Sequence, residues 1–172
     1  MGGKLTAKKV WSLAAKAGKK GVNLKKEDLQ ELDLQAIGLR RANLSDANLA
    51  KANLQKADLR DSDCRKTNLD EAVLSKSKLR RANLSWANLN KAHLDGVDLR
   101  DADLRWATLQ EADLKHTDLR RTDLRDADLS MASLRHADLS GANLRRATLK
   151  DADLKKINYD KTTEWPKGFE PE

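Results

Sequence analysis

The chain repeats itself every five residues over most of its length. Counting from Leu24, every fifth position is leucine as far as Leu154, except for Cys64, and Tyr159 takes the next position. The series has 28 consecutive positions without a slip, and 26 of them are leucine. Alanine usually stands two residues before the leucine and aspartate or asparagine one before it, so the unit is A-(D/N)-L-x-x. Any fold of this chain must give these leucines equivalent environments.

A period of five excludes a long helix and a long strand. Five residues of an α-helix turn about 500°, or about 140° net, so successive leucines would spread around the helix instead of forming a stripe. A strand alternates its faces, so an odd period would send successive leucines to opposite sides. The pattern fits a chain that turns a corner in each unit, with every leucine pointing to one axis. Such fixed-period similarity is typical of stacked repeat proteins.

Units such as Ala42-Asn43-Leu44 and Ala82-Asn83-Leu84 resemble the pentapeptide repeat family, particularly its cyanobacterial members, over about four fifths of the chain. The resemblance implies an all-β solenoid, namely a right-handed, four-sided parallel β-helix. Four units would make one coil, so the series would make about seven coils. Coils about 4.8 Å apart would form a rod roughly 30–35 Å long. The leucine and the small residue two before it would point inward.

The inward positions predict the core of the rod. Burying each leucine contributes roughly 2 kcal/mol, and the second inward position is cramped, which suits alanine. Cys64 lies at a leucine position, so we expect a small buried hydrophobe, and a single cysteine excludes an intrachain disulfide. Large inward residues come early, at Glu27, Leu32 and Ile37, and predict an irregular first coil with regular coils from Ala42 onward. The structural set includes Leu44, Leu84, Leu104, Leu124, Ala82, Ala102 and Cys64.

The segments outside the repeat, which we place at 22–161, are predicted to cover its ends. Residues 1–21 form an N-terminal capping helix in which Thr6 is the N-cap and one face carries Ala7, Val10, Trp11, Ala14 and Ala17. The alternative is a basic amphipathic helix that lies on a membrane or a partner. Residues 162–172 form a capping tail in which Trp165 and Phe169 cover the last coil. Because the family often dimerises through this end, the resemblance implies a monomer or an end-to-end dimer.

Residues 20 apart should stack in columns on the rod surface. One column consists of Arg40, Arg60, Arg80, Arg100 and Arg120. Aspartates stand two residues before several of these arginines, and neighbouring corner columns alternate in charge, which favours cross-strand ion pairs. The surface is therefore interpreted as self-neutralised. The alternative is that the arginine column binds phosphates or an acidic partner, which the net charge of +7 and pI of about 9.5 would favour.

A second column brings Trp86 and Trp106 together on an outer corner, beside Arg105 and Arg125. This group is either an aromatic ladder that stabilises the surface or a binding site for a base or a protein side chain. His116 and His136 form another pair, but no third convergent ligand accompanies them, so no metal site is predicted.

The pattern of residues indicates a protein that is not an enzyme and has no cofactor. No glycine-rich phosphate loop, metal motif or nucleophile with a positioned base is present in the sequence. We expect a scaffold or interaction module that binds another protein, with nucleic-acid binding through the arginine column as the alternative. Some family members imitate DNA to protect gyrase, which requires an acidic rod, so the positive net charge disfavours that role. No apolar run is long enough for a membrane span, and a cytoplasmic location is expected.

Overall fold

Parallel bridges between residues 20 apart organise the computed structural model, which describes residues 5–171. The series begins with Asn23 and Asn43, takes in every fifth residue, and continues to Asp138 and Asn158. Each bridge is a single residue long, so no extended strand is present in the described part of the chain. Four bridges recur in every 20 residues, which gives the coil four sides and confirms the predicted period.

Backbone hydrogen bonds connect each coil to the next. The Leu24 N–H donates to the Asn43 carbonyl at 2.7 Å, and the Asn43 N–H donates back to the Val22 carbonyl at 2.9 Å. Equivalent pairs recur along the repeat up to the last coil, so consecutive coils are joined on all four sides.

The corners explain the order of residues in the repeat unit. The Leu24 carbonyl accepts from the Glu27 N–H at 3.2 Å, which closes a turn around Lys25 and Lys26. The second turn residue has a positive φ throughout, between 55° and 63° where it is not glycine. The side chain before the leucine caps the turn, as Asn23 Oδ1 does by accepting from the Lys25 N–H at 3.3 Å. Aspartate and asparagine favour such turns for this reason.

The leucines and alanines of the repeat form one continuous buried core. Cys64 is buried with them, its Sγ lies 3.2 Å from the Ser62 hydroxyl, and desolvation raises the pKa of the thiol to about 12. Threonines at the small inward position donate to carbonyls of the preceding coil, as Thr67 does to Leu44 at 2.9 Å. These threonines are thus accommodated without disturbing the stack, whereas the buried Ser77 hydroxyl has no hydrogen-bond partner among the described residues.

The first coil is regular, so the prediction of an irregular start near Glu27, Leu32 and Ile37 is wrong. Bridges and backbone bonds are present there from Leu24 onward. Glu27 is exposed, Leu32 is half-buried and Ile37 is fully buried. At the end of a rod no earlier coil lies over the inward positions, so a long side chain fits there without displacing backbone.

A helix, α1 (Ala7–Ala17), precedes the repeat and is followed by a 3₁₀ helix over Gly18–Lys20. Thr6 is its N-cap, as predicted, and its side chain accepts from the Lys9 N–H at 3.3 Å. The inward stripe is Val10 with Ala7, Leu13, Ala14 and Ala17. No helix of the described residues combines the length and the hydropathy that crossing a membrane requires.

Trp11 does not belong to the inward face of α1, and its predicted structural role there is wrong. Its side chain is 41% exposed, whereas Leu13 packs against the core. The stripe is centred on Val10, and one residue further along a helix lies about 100° away. Trp11 therefore points outward, where its bulk does not separate α1 from the leucines.

One extra residue enters the last coil after Tyr159. Tyr159 follows the bridge residue Asn158, so it takes the next place in the leucine series as predicted, but it is 45% exposed and does not belong to the buried core. Asn143 bridges to Glu164, which is 21 residues on, so the small inward position of the next unit passes to Thr163 and the leucine position to Trp165.

The tail covers the end of the rod only in part. Trp165 packs against the core, receives the edge of Tyr159 at 5.6 Å and stacks with Phe169 at 5.3 Å between ring centroids. Phe169 also lines a cavity of about 580 Å³ with Leu149 and Leu154. Those leucines remain partly accessible, unlike the leucines inside the stack.

Candidate interaction surfaces

The tryptophan pair lies on one corner of the rod, at equivalent positions of consecutive coils. Trp86 and Trp106 are both second turn residues, with φ of 63° and 57°. Their rings stack with centroids 5.0 Å apart and 13° between planes, as predicted. They remain 56% and 38% exposed, and the Arg105 guanidinium carbon lies 5.2 Å from the Trp106 ring centroid. Each ring thus shields part of the other, while the face of Trp86 turned toward the preceding coil stays accessible.

A groove of about 470 Å³ adjoins this pair, and we call it the corner groove. It is lined by Trp86, Trp106, Lys25, Ser45, Asp46, Arg65, Lys66, Asn83, Ser85 and Arg105. Ser45 and Ser85 make the depression because each is short, buried and bonded inward, with hydroxyls 2.8 and 2.7 Å from Asn43 and Asn83. Long arginines occupy the same column in the alternate coils. The groove combines aromatic surface with basic side chains.

Sequence reasoning missed Lys25, Lys66 and the two serines of the corner groove. The signal was available in the columns, because Lys25, Ser45, Arg65, Ser85 and Arg105 stand 20 residues apart. Such alternation of long and short side chains indicates a notched surface.

Bidentate ion pairs hold the arginines beside the tryptophans. Arg105 donates to Asp103 through Nε and Nη2 at 2.9 and 2.7 Å, and Arg125 makes the same pair with Asp123. These bonds raise the pKa of both guanidinium groups. Of the two arginines predicted to lie beside the tryptophans, Arg105 lines the corner groove and Arg125 does not. Within the described residues, Lys25 and Lys66 are in no ion pair and remain the unpaired cations of the groove.

Every member of the predicted arginine column is paired with aspartate. Arg60, Arg100 and Arg120 bind the aspartate two residues earlier, with Nη2–Oδ2 distances of 2.6, 2.8 and 2.7 Å. Arg40 and Arg80 instead reach the next coil, to Asp61 at 3.1 Å and Asp101 at 3.2 Å. A phosphate that bound this column would have to displace these carboxylates.

The histidine pair is stacked, with centroids of His116 and His136 5.0 Å apart and 7° between planes. Desolvation, and then the neighbouring His116, lower the pKa of His136. Among residues 5–171 no three histidine, cysteine or carboxylate side chains converge on one point that a metal ion could occupy.

The sequence matches the family described as pentapeptide repeats, in the overlapping segments 28–63, 37–75, 67–105, 77–115, 102–141 and 122–158. Among solved structures, the chain is similar to HetL of the cyanobacterium Nostoc sp. strain PCC 7120, a pentapeptide repeat protein involved in heterocyst differentiation regulation. It is 31% identical to HetL over 79% of this chain and 73% of that one, with a TM-score of 0.36. None of the curated proteins compared with it is similar.

Two further structures extend the range of similar proteins. A pentapeptide repeat protein of the Arabidopsis thaliana thylakoid lumen is 26% identical over 60% of this chain and 69% of that one, with a TM-score of 0.47. QnrB1, a plasmid-mediated fluoroquinolone resistance protein, is 14% identical over 82% and 91%, with a TM-score of 0.42. The family match spans well over half of the sequence and agrees with the four bridges in every 20 residues. The chain therefore belongs to the pentapeptide repeat family and folds as a right-handed, four-sided β-helix.

Proposed function

We propose that the chain is a non-catalytic interaction module, a rod of about seven coils closed at its N-terminal end by α1, which binds another protein at the corner groove. The observation that carries this proposal is the exposed stack of Trp86 and Trp106 beside a groove with two unpaired lysines. Tryptophan is enriched among the residues that dominate binding at protein interfaces. A role as a scaffold is also consistent with proteins of this family, which are typically structural or interacting proteins without catalysis.

The chemistry of the groove favours a protein segment over a nucleic acid. The tryptophan column reads Lys26, Asp46, Lys66, Trp86, Trp106, Asp126 and Arg146, so carboxylates lie on both sides of the aromatic pair. A phosphate backbone that followed this column would meet Asp46 and Asp126. A peptide can place one apolar or aromatic side chain on Trp86 and one carboxylate near Lys66 without doing so.

The arginine column supports the same choice. Each of its guanidinium groups already has a carboxylate partner, so a polyanion would gain few free cations there. Imitation of DNA is disfavoured too, since that role needs an acidic rod and the repeat, residues 22–161, has 27 basic and 24 acidic residues.

The proposal is tested by selecting peptides from a displayed random library on the purified chain and measuring their affinity for it. We expect Trp86→Ala to weaken the selected peptides about thirtyfold, as for a residue that dominates an interface. Ala36, at the equivalent corner position with φ of 59°, shows that alanine fits this backbone. Trp11→Ala is the matched control, because it removes another exposed indole, on α1 and outside the corner groove.

Two results would overturn the proposal. The first is peptide binding that is unchanged in Trp86→Ala and in the double variant Trp86→Ala/Trp106→Ala. The second is saturable binding of single- or double-stranded DNA at about 0.15 M salt that is lost in Arg80→Ser/Arg100→Ser/Arg120→Ser, since polyanion binding through arginines depends steeply on salt.

A further inference from the structure

The net positive charge of the chain is concentrated at its N-terminal end. Residues 1–26 contain eight lysines and no arginine, aspartate or glutamate. Residues 27–172 contain the other 26 basic residues and all 27 acidic ones. The whole net charge of +7 is therefore +8 in the first segment and −1 in the rest. The remainder of the chain is almost neutral, so the excess of positive charge lies at this end.

The structure leaves seven of these lysines exposed and without an ion pair. Three lie on α1, two on the 3₁₀ helix and two at the first corner, namely Lys8, Lys9, Lys16, Lys19, Lys20, Lys25 and Lys26. Within residues 5–171 none of the seven is in an ion pair, in contrast to the arginines of the rod. Their charge is available to a partner outside the chain.

The outward face of α1 adds one aromatic side chain to this basic surface. Trp11 is 41% exposed and lies one helical turn from Lys8 and Ala15, which are exposed as well. Val10 and the rest of the inward stripe are occupied by the core. The free face is thus lysine-rich with a single indole, and tryptophan favours the interface between water and lipid.

We propose that the lysine-rich end binds an anionic membrane surface, so that the rod stands on the bilayer by its N-terminal end. Clusters of four to eight basic residues on a helix bind acidic phospholipids, and each lysine near the surface strengthens binding about fivefold. The cluster covers the end of a rod and suits a flat partner. Arg41 lies beside Lys19, to whose carbonyl it donates at 3.4 Å, and adds to the positive charge of this end.

The experiment is flotation of the full chain with vesicles of phosphatidylcholine alone, or of phosphatidylcholine and phosphatidylserine at about three to one. We expect binding only to the anionic vesicles, and weaker binding as salt is raised. Lys8→Gln/Lys9→Gln/Lys16→Gln/Lys19→Gln should reduce the partition coefficient several-hundredfold, at about fivefold for each lysine. The matched control, Lys56→Gln/Lys76→Gln/Lys91→Gln/Lys156→Gln, removes the same charge from exposed positions of the rod and should keep most of the binding.

Quenching by brominated lipids reports the orientation. Brominated lipids should quench the tryptophan emission of the bound wild-type chain, because Trp11 lies at the bilayer. They should not quench the emission of bound Trp11→Phe. Quenching that persists in Trp11→Phe would place Trp86, Trp106 or Trp165 at the bilayer and overturn binding through the N-terminal end. Equal losses in the two lysine variants, absence of vesicle binding, or binding of duplex DNA in place of vesicles would each overturn the membrane proposal. The corner groove shares only Lys25 with this end, and neither lysine variant changes Lys25, so peptide binding in the groove can succeed or fail independently.

Discussion

At the scale of the residue, the corner position is where the chain departs most from ordinary backbone preferences. L-residues other than glycine occupy the left-handed region in all units of the repeat up to Lys156 except those of Gly96 and Gly141, among them Ala36 with φ of 59° and Trp86 with φ of 63°. Each such residue costs about 1 kcal/mol relative to right-handed backbone. The cost is tolerated because every coil closes backbone hydrogen bonds that only this turn permits, such as Lys26 N–H to the Ser45 carbonyl at 3.0 Å.

Two glycines allow the effect of a positive φ on stability to be measured without steric overlap, because neither leaves a close contact for an added Cβ. Gly96 has φ of 66°, and a Cβ there would lie 3.7 Å from Lys76 Cγ, whereas Gly38 lacks a positive φ and would meet nothing within 4 Å. We expect Gly96→Ala to lower the free energy of unfolding by about 1 kcal/mol, because alanine has a steric cost at positive φ that glycine does not have. Gly38→Ala should raise the free energy of unfolding by about 0.4–1 kcal/mol, because alanine reduces the conformational entropy of the unfolded chain. Urea unfolding measures both, and equal effects of the two substitutions would contradict this account.

Local chemistry explains why some residues could be predicted from the sequence and others could not. The aspartate or asparagine before each leucine was predictable, because its side chain caps the turn that follows, as Asp58 does for Arg60 at 3.2 Å. The positive φ at positions such as Lys56 was not, because stacking of the coils imposes it and no glycine marks it. Trp11 was placed wrongly because a helical stripe read from spacing alone is uncertain by one residue at its edge.

At the scale of the element, the arginine column follows a rule that the sequence contains. Arg60, Arg100 and Arg120 each have an aspartate two residues earlier and form an ion pair with it on the same side of the same coil. Arg40 and Arg80 have Gly38 and Lys78 there, so their guanidinium groups turn to a corner aspartate of the next coil. The predicted cross-strand pairs of the alternating corner column are present too, between Arg81 and Asp61 and between Arg121 and Asp101.

This ladder should make stability depend on acid pH. The hydrogen bond from Arg100 lowers the pKa of Asp98 below that of a free aspartate. A group whose pKa falls on folding stabilises the protein above its unfolded pKa, about 4, and loses that contribution as pH falls through the folded value. Asp98→Asn should therefore destabilise the rod at pH 7 and make little difference to its stability near pH 2. The effect at pH 7 should be small, because Arg100 in the variant still has Asp118 as a partner at 3.3 Å.

Asp95→Asn provides the comparison, since Asp95 forms no ion pair within the described residues. Urea unfolding across this pH range should show no change in that variant. A difference between wild type and Asp98→Asn that stays constant from pH 7 to pH 2 would show that the ion pair is not its source.

At the scale of the whole molecule, the two ends of the rod are unlike each other. At the N-terminal end α1 lays Val10 against the core. At the C-terminal end the extra residue near Asp160 moves the tail, and Leu149, Ala152 and Leu154 stay partly accessible. The sequence predicted which aromatics approach this end but not the extra residue, because the leucine spacing continues unchanged through Leu154 and Tyr159 occupies the next place.

The last coil has backbone N–H groups without an acceptor among the described residues, which favours association of the rod with another chain. Among residues 5–171, the N–H groups of Leu149, Asp151 and Leu154 donate to no backbone or side-chain acceptor, although their counterparts in every earlier coil do. An open edge beside apolar surface favours pairing with another chain. We propose that a second copy covers it, end to end. Sedimentation velocity should then show a species of twice 19.2 kDa that increases with concentration.

Leu154→Lys should abolish this association, because a charge at the apolar edge would be buried between the two copies. Leu32→Lys is the matched control, since Leu32 is a half-buried leucine at the opposite end of the rod. The control should sediment as the wild type does. A wild-type chain that remains monomeric at all concentrations, or equal loss of the larger species in both variants, would contradict the end-to-end dimer. Such a rod would carry its corner grooves in two copies and its lysine-rich ends at opposite extremes, so only one end at a time could stand on a flat membrane.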